Sequence, residues 1–205
     1  MIGMLAVTGC VTSKPYDYTI FHAHPPHSIV VLPPLNQSTD IKGTYGYLST
    51  VTRPLAEMGY YVFPVAEVDQ LMKENGLPTA GEMHQVPLDK IGEIIGADSV
   101  LYITLRKYGS KYEVISSVTT VTADAKLVDV KTGLTLWEGT ATAQQSSGDS
   151  GGSIIGALVT AAVTQVVNSA TDPAHDVSSM ANFQLFTPKN RGLLYGPYFP
   201  KDKQQ

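Results

Sequence analysis

The sequence predicts an α/β fold: a single compact domain with a mixed sheet, in which strand-helix repeats are followed by an antiparallel hairpin and a C-terminal helix. Three observations carry this prediction. The apolar, β-branched run Ser28-Ile29-Val30-Val31-Leu32, closed by Pro33-Pro34, has the pattern of a strand buried on both faces. Between it and Leu105, short apolar runs alternate with segments whose apolar residues recur at three and four, the rhythm of strands and covering helices. From Tyr112 onward the chain is rich in Val, Thr and Ile on either side of Lys131-Thr132-Gly133, which is hairpin chemistry.

The chain divides into residues 1–10, a residual signal peptide and lipobox; 11–27, a flexible tether; 28–187, the α/β domain; and 188–205, a C-terminal tail. Cys10, the only cysteine, ends the run Leu5-Ala6-Val7-Thr8-Gly9-Cys10. An aliphatic residue three positions before a cysteine, then small residues, is the pattern at which a lipoprotein signal peptide is cut after the thiol has taken up diacylglycerol. Buried acyl chains at about 0.8 kcal/mol per methylene would anchor the protein without a membrane-spanning helix. Met1 to Gly9 contains no Lys or Arg, so the positive region of a complete signal lies outside it. Val11 to His27, with Pro15, Pro25 and Pro26 among polar and aromatic residues, reads as an extended tether holding the domain off the bilayer.

Inside the domain, Ser28 to Leu32 is the first strand. Tyr47, Leu48, Val51, Leu55 and Met58 place a helix over Thr44 to Met58, with Pro54 a kink or restart and Gly59 the stop. Tyr60 to Phe63 is a short strand. Val65 to Asn75 is a helix with Val68, Leu71 and Met72 inward and Gly76 at its end. Pro87 to Ile95 is a helix with Leu88, Ile91, Ile94 and Ile95 on one face, and Ser99 to Leu105 is the third strand. Tyr112 to Val130 and Leu134 to Ala143 form the hairpin, with Trp137 in the return strand. Ser146 to Ser153 is a Gly/Ser-rich linker, and Ile154 to Val167 is a helix of small apolar residues. At roughly 21 Å for fourteen residues, that helix is too short to span a bilayer.

A formal charge of −4 and only 16% charged residues give no general attraction for phosphate backbones, so nucleic acid is excluded as a partner. Lys189, Arg191, Lys201 and Lys203 gather near the C-terminus. Gly148-Asp149-Ser150-Gly151-Gly152 matches the pentapeptide around a chymotrypsin-type nucleophile. No histidine has the setting of its base, however, and the αβ rhythm is wrong for paired β-barrels. His22, His24 and His27 cluster, without the Cys, Asp or Glu spacing that closes a metal site, so no metal or other cofactor is assigned. His84 and His175 stand alone. Gly152, just before the 154–167 helix, and Gly156 make a small-xxx-small pair, and with Ala157, Thr160 and Thr164 they give a small-residue face, which either packs in the core or meets a second protomer or partner.

Four segments carry a family resemblance: Val7-Thr8-Gly9-Cys10; Ile29-Val30-Val31-Leu32-Pro33-Pro34; Leu127-Val128-Asp129-Val130-Lys131-Thr132-Gly133-Leu134-Thr135-Leu136-Trp137; and Arg191-Gly192-Leu193-Leu194-Tyr195-Gly196-Pro197. With these the chain resembles a family of small lipoproteins of Gram-negative bacteria, of neisserial type and unknown function. The hairpin pattern is also similar to that of curli-secretion-type lipoproteins and of the N-terminal domain of the Tol propeller protein. The resemblance implies a non-enzymatic docking or assembly module of the cell envelope, with no catalytic residues. Such a module would be anchored in the membrane by lipid on Cys10, partnered by other envelope lipoproteins or by itself as a homo-oligomer, and accessory to a secretion system. Val11 after the cysteine, by resemblance to enterobacterial sorting, implies the outer membrane, on either its periplasmic or its surface-exposed face. The rival readings are a surface-exposed adhesin or antigen and an envelope hydrolase using Ser150.

Overall fold

The computed structural model describes residues 15–112, 117–146, 173–200 and 202. A seven-stranded mixed sheet runs in the order β3-β1-β4-β6-β5, with β2 also on β4 and β7 also on β6. The strands are β1 (Ser28–Val31), β2 (Leu35–Asn36), β3 (Tyr61–Val62), β4 (Ser99–Lys107), β5 (Ser110–Tyr112), β6 (Ser117–Asp129) and β7 (Thr135–Ser146). The β1–β3, β1–β4 and β2–β4 pairs are parallel; the β4–β6, β5–β6 and β6–β7 pairs are antiparallel. The α/β mixed sheet of the sequence analysis is therefore the observed fold.

Strand alternation divides the core. Ile29 and Val31 of β1 and Leu101, Ile103 and Leu105 of β4 point to one face, under α2 (Gly43–Glu57) and α6 (Pro173–Phe186). Val30, Leu32 and Val100 point to the other, under α3 (Val65–Glu74), α4 (Ala80–Met83) and α5 (Leu88–Ile94). A strand buried on both sides has no polar positions, which explains the unbroken run Ile29 to Leu32, with each of the four at 0% exposure.

The helix ends follow their local chemistry. At the end of α2 the Gly59 N–H donates to Ala56 O and the Tyr60 N–H to Leu55 O, the paired bonds of a Schellman motif, with Gly59 at φ +85°. The same pair recurs after α3, from Gly76 to Lys73 and from Leu77 to Met72, with Gly76 at φ +81°. Pro54 lies inside the last turn of α2, which runs unbroken to Glu57. Thr79 and Glu82 form a capping box that starts α4. In the hairpin turn, Asp129 Oδ2 accepts from Thr132 N–H at 2.8 Å and Thr132 Oγ1–H at 2.6 Å, and Gly133 takes φ +71°.

Three expectations need correction. The segment 11–27 is not an extended tether from Pro15 on: Thr19–Ala23 form a short helix, α1, Phe21 is buried, and Tyr16 and Tyr18 pack on the core. Three aromatic rings supply more burial than the prolines forbid. The segment 188–205 is not a free tail through Phe199. It straps one end of the sheet, with Leu193 buried and a succession of bonds: Tyr16 N–H to Asn190 O, Trp137 Nε1–H to Arg191 O, Tyr18 O–H to Gly192 O, Tyr60 O–H to Leu194 O, and Tyr198 N–H to Gly59 O. Ile94, placed inward by its spacing, is 60% exposed because α5 ends there and only Ile91 of its helix is buried. The helix predicted over 154–167 lies outside the described residues, and α6 is an unpredicted helix. Among the described residues no helix is long and apolar enough to cross a membrane.

Candidate functional site

The helices leave part of the sheet bare. On β6, Val121, Ala123, Ala125 and Leu127 are buried toward α6, while Thr122, Asp124 and Lys126 alternate onto the other face, beyond the reach of α3 to α5. On β7, Trp137, Ala141 and Ala143 turn in, and Glu138, Thr140, Thr142 and Gln144 turn out. Tyr102, Thr104 and Arg106 of β4 complete the floor. The result is an open groove of about 700 Å³, floored by these strands and rimmed at the β7 edge by Leu185, Pro188 and Arg191.

Its polar groups are partly fixed. Arg106 Nε–H donates to Asp124 Oδ2, and Thr140 Oγ1–H donates to Asp124 Oδ1 at 2.8 Å, so one carboxylate ties three strands together. Thr122 and Thr142 hydroxyls bond across the ladder at 3.0 Å. Lys126 and Glu138 face each other in register, both exposed. Gly139 lets the Trp137 ring lie beside the strand: a Cβ there would sit 2.7 Å from the ring and 3.3 Å from Leu185. At the groove's other side, His84 Nε2 is 2.9 Å from Pro33 O, and its ring meets Tyr102 edge-on at 5.3 Å. Burial lowers the His84 pKa, opposed in part by the Pro33 carbonyl.

Chemically this is a surface of fixed charges and hydroxyls suited to holding an extended polar chain by hydrogen bonds and ion pairs. Sequence reasoning missed it, although the alternation Thr122, Asp124, Lys126 and Glu138, Thr140, Thr142 was the available signal.

Cys10, Ser150, Gly152, Gly156, Ala157, Thr160 and Thr164 are all outside the described residues. His27 Nδ1 is 3.7 Å from Asp98 Oδ2, with both side chains substantially exposed, and among the described residues no group of three His, Cys, Asp or Glu is placed to hold a metal.

Comparisons with known proteins add context. The family model described as "Putative lipoprotein GNA1162-like" matches residues 16–198. The "Putative lipoprotein NMB1124/NMB1162" of Neisseria meningitidis serogroup B is 44% identical over 206 residues, 99% of this chain and 96% of its own. The crystal structure of lipoprotein GNA1162 from Neisseria meningitidis is 48% identical, with TM-score 0.58 over 62% of this chain and 88% of that one. A PelC dodecamer from Paraburkholderia phytofirmans is 12% identical, with TM-score 0.48 over 77% of this chain and 84% of that one.

Proposed function

The chain belongs to the GNA1162-like lipoprotein family, and from that premise we propose that it is an outer-membrane-anchored, non-enzymatic docking module of the cell envelope. The anchor is a diacylglyceryl thioether on Cys10, whose surroundings fit the lipoprotein cleavage pattern. The partners are other envelope lipoproteins or further copies of the chain, as accessories of an assembly or secretion machine. The small-residue face of Gly152, Gly156, Ala157, Thr160 and Thr164 is a second contact candidate.

The observation that carries the docking reading is the bare face of β4, β6 and β7. Its Arg106–Asp124–Thr140 network spends side-chain freedom on presenting an ordered polar surface. Pre-ordered groups lose less entropy on binding than free ones, so such a surface is suited to recognition.

The test is a photo-crosslinking residue at Lys126 in native envelopes. Adducts with envelope lipoproteins, lost on Arg106→Glu, are the expected result. Absence of any adduct, in cells where the protein still fractionates with membranes, would count against docking through this face. Release of Cys10→Ala from membranes tests the anchor separately.

A further inference from the structure

The end of the domain crossed by the C-terminal strap carries an aromatic surface that the docking groove does not use. Tyr61, Tyr195 and Tyr198 are 53%, 53% and 65% exposed. Tyr195 stacks on Phe199 with ring centroids 4.0 Å apart, Tyr198 meets His27 edge-on at 6.5 Å, and Tyr61, whose own ring meets Phe63 edge-on at 5.1 Å, donates its backbone N–H to His27 O at 3.0 Å, so the three residues are neighbours along the strap's far end. Their hydroxyls have no hydrogen-bond partner among the described residues. The exposed Tyr45 differs: its hydroxyl donates to Asp69 at 3.2 Å, and the Lys73 ammonium sits 4.9 Å from its ring centre.

The position of the anchor bears on this patch. Four residues, Val11 to Lys14, separate Cys10 from Pro15, and the fold has begun by Tyr16, whose N–H donates to Asn190 O. Six residue steps reach at most about 21 Å, so a lipid on Cys10 leaves the domain no freedom to stand far from the bilayer. The strap leads from Asn190, beside that exit point, to Phe199, beside the tyrosines. The sheet between Glu138 and Tyr61 is four strand spacings wide, about 19 Å. Tyr16 and the tyrosines thus stand at opposite edges of the sheet, joined by the strap, and their separation is no longer than the reach of the 10–16 segment. Lys189 and Arg191 are exposed at the exit, suited to anionic headgroups. Asp17 lies there too, and its carboxylate already accepts from the Thr19 N–H and hydroxyl.

We infer that Tyr61, Tyr195 and Tyr198 form a membrane-contacting surface, seated in the phospholipid interface of the bilayer that holds the anchor. A tyrosine ring suits that layer because its body is apolar and its hydroxyl wet. The inference rests on the anchor at Cys10, and the test supplies that anchor independently. Cys10 of the full chain is coupled to a maleimide phospholipid in vesicles whose phosphatidylcholine carries dibrominated acyl chains, which quench indoles within the bilayer. Tyr198→Trp is compared with Thr142→Trp and with the parent chain, whose Trp137 is buried. Quenching of about twofold confined to Tyr198→Trp is the expected result.

Equal fluorescence of all three proteins in brominated and unbrominated vesicles overturns the inference. So does a response of Tyr198→Trp to added peptidoglycan in the absence of any response to lipid. Intact-mass analysis of the native protein decides separately whether Cys10 is lipidated. An unmodified Cys10 would defeat the anchoring reading, while the vesicle result still decides the surface. Circular dichroism of each variant confirms that the fold is retained.

Discussion

Asn182 of α6 donates through Nδ2 to the hydroxyl oxygen of Thr50 on α2 at 2.9 Å, and both residues are buried between the two helices. The Thr50 hydroxyl in turn donates to Tyr47 O at 2.8 Å. Asn182 Oδ1 has no partner among the described residues, so the amide already rests on this one bond, and a buried donor that loses its acceptor carries its full desolvation cost. Thr50→Val should therefore destabilise the domain by about 1–3 kcal/mol, by stranding the Asn182 amide. The double variant Thr50→Val with Asn182→Leu should recover part of that loss. A denaturant double-mutant cycle measures the coupling, and strict additivity would argue against the pair.

Gly59 and Gly76 both end helices at positive φ, but only one of them has room for a side chain. A Cβ at Gly76 would meet nothing within 4 Å, so Gly76→Ala should cost about 1 kcal/mol from backbone conformation alone. A Cβ at Gly59 would fall 2.2 Å from the backbone nitrogen of Phe199, so Gly59→Ala should cost roughly 3 kcal/mol or more and loosen the strap. Urea melts of the two variants separate these outcomes.

Removal of residues 188–205 tests the strap directly. A free tail would be lost without consequence. Here its loss exposes Trp137 and removes the partners of Tyr16, Tyr18 and Tyr60, so the truncated protein should be less stable by several kcal/mol, roughly 3 or more. An unchanged melting temperature would sink this assignment.

His84 has its pKa lowered by burial. The unfolded chain then binds a proton at higher pH than the folded one, so folding favours the neutral ring. The stability this gives is present above the ordinary histidine pKa of about 6.5 and falls as the pH drops from there toward the folded value. Melts at pH 7.5 and pH 5 should show a smaller acid loss in His84→Gln than in the parent. A larger acid loss in the variant would contradict the shift.

The parts of the fold that sequence discloses are those in which apolar side chains carry the pattern. Ile29 to Leu32 and the hairpin around Gly133 are β-branched runs bounded by turn residues, and they fold as such. Helix α6 was missed because its buried stripe includes Ala174, Ser178, Ala181 and Asn182, small or polar residues that read as surface until their partners on α2 are known. The strap was missed for another reason. It is held largely through backbone carbonyls of Gly192, Leu194 and Gly59, and a carbonyl leaves no mark on residue type. The groove follows from which strand faces the helices fail to cover, which only the assembled sheet decides.

The hydroxyl of Tyr18 and the carbonyl of Gly192 lie 174 positions apart, and this bond closes nearly the whole described chain into a loop. A polypeptide that emerges from a ribosome or a translocation channel amino end first cannot make this closure until its last segment has arrived. Tyr16, Tyr18 and Trp137 cannot gain these partners until Asn190 to Gly192 have arrived. Such delay suits export, since a chain that completes its fold only after release is still threadable while it crosses a membrane.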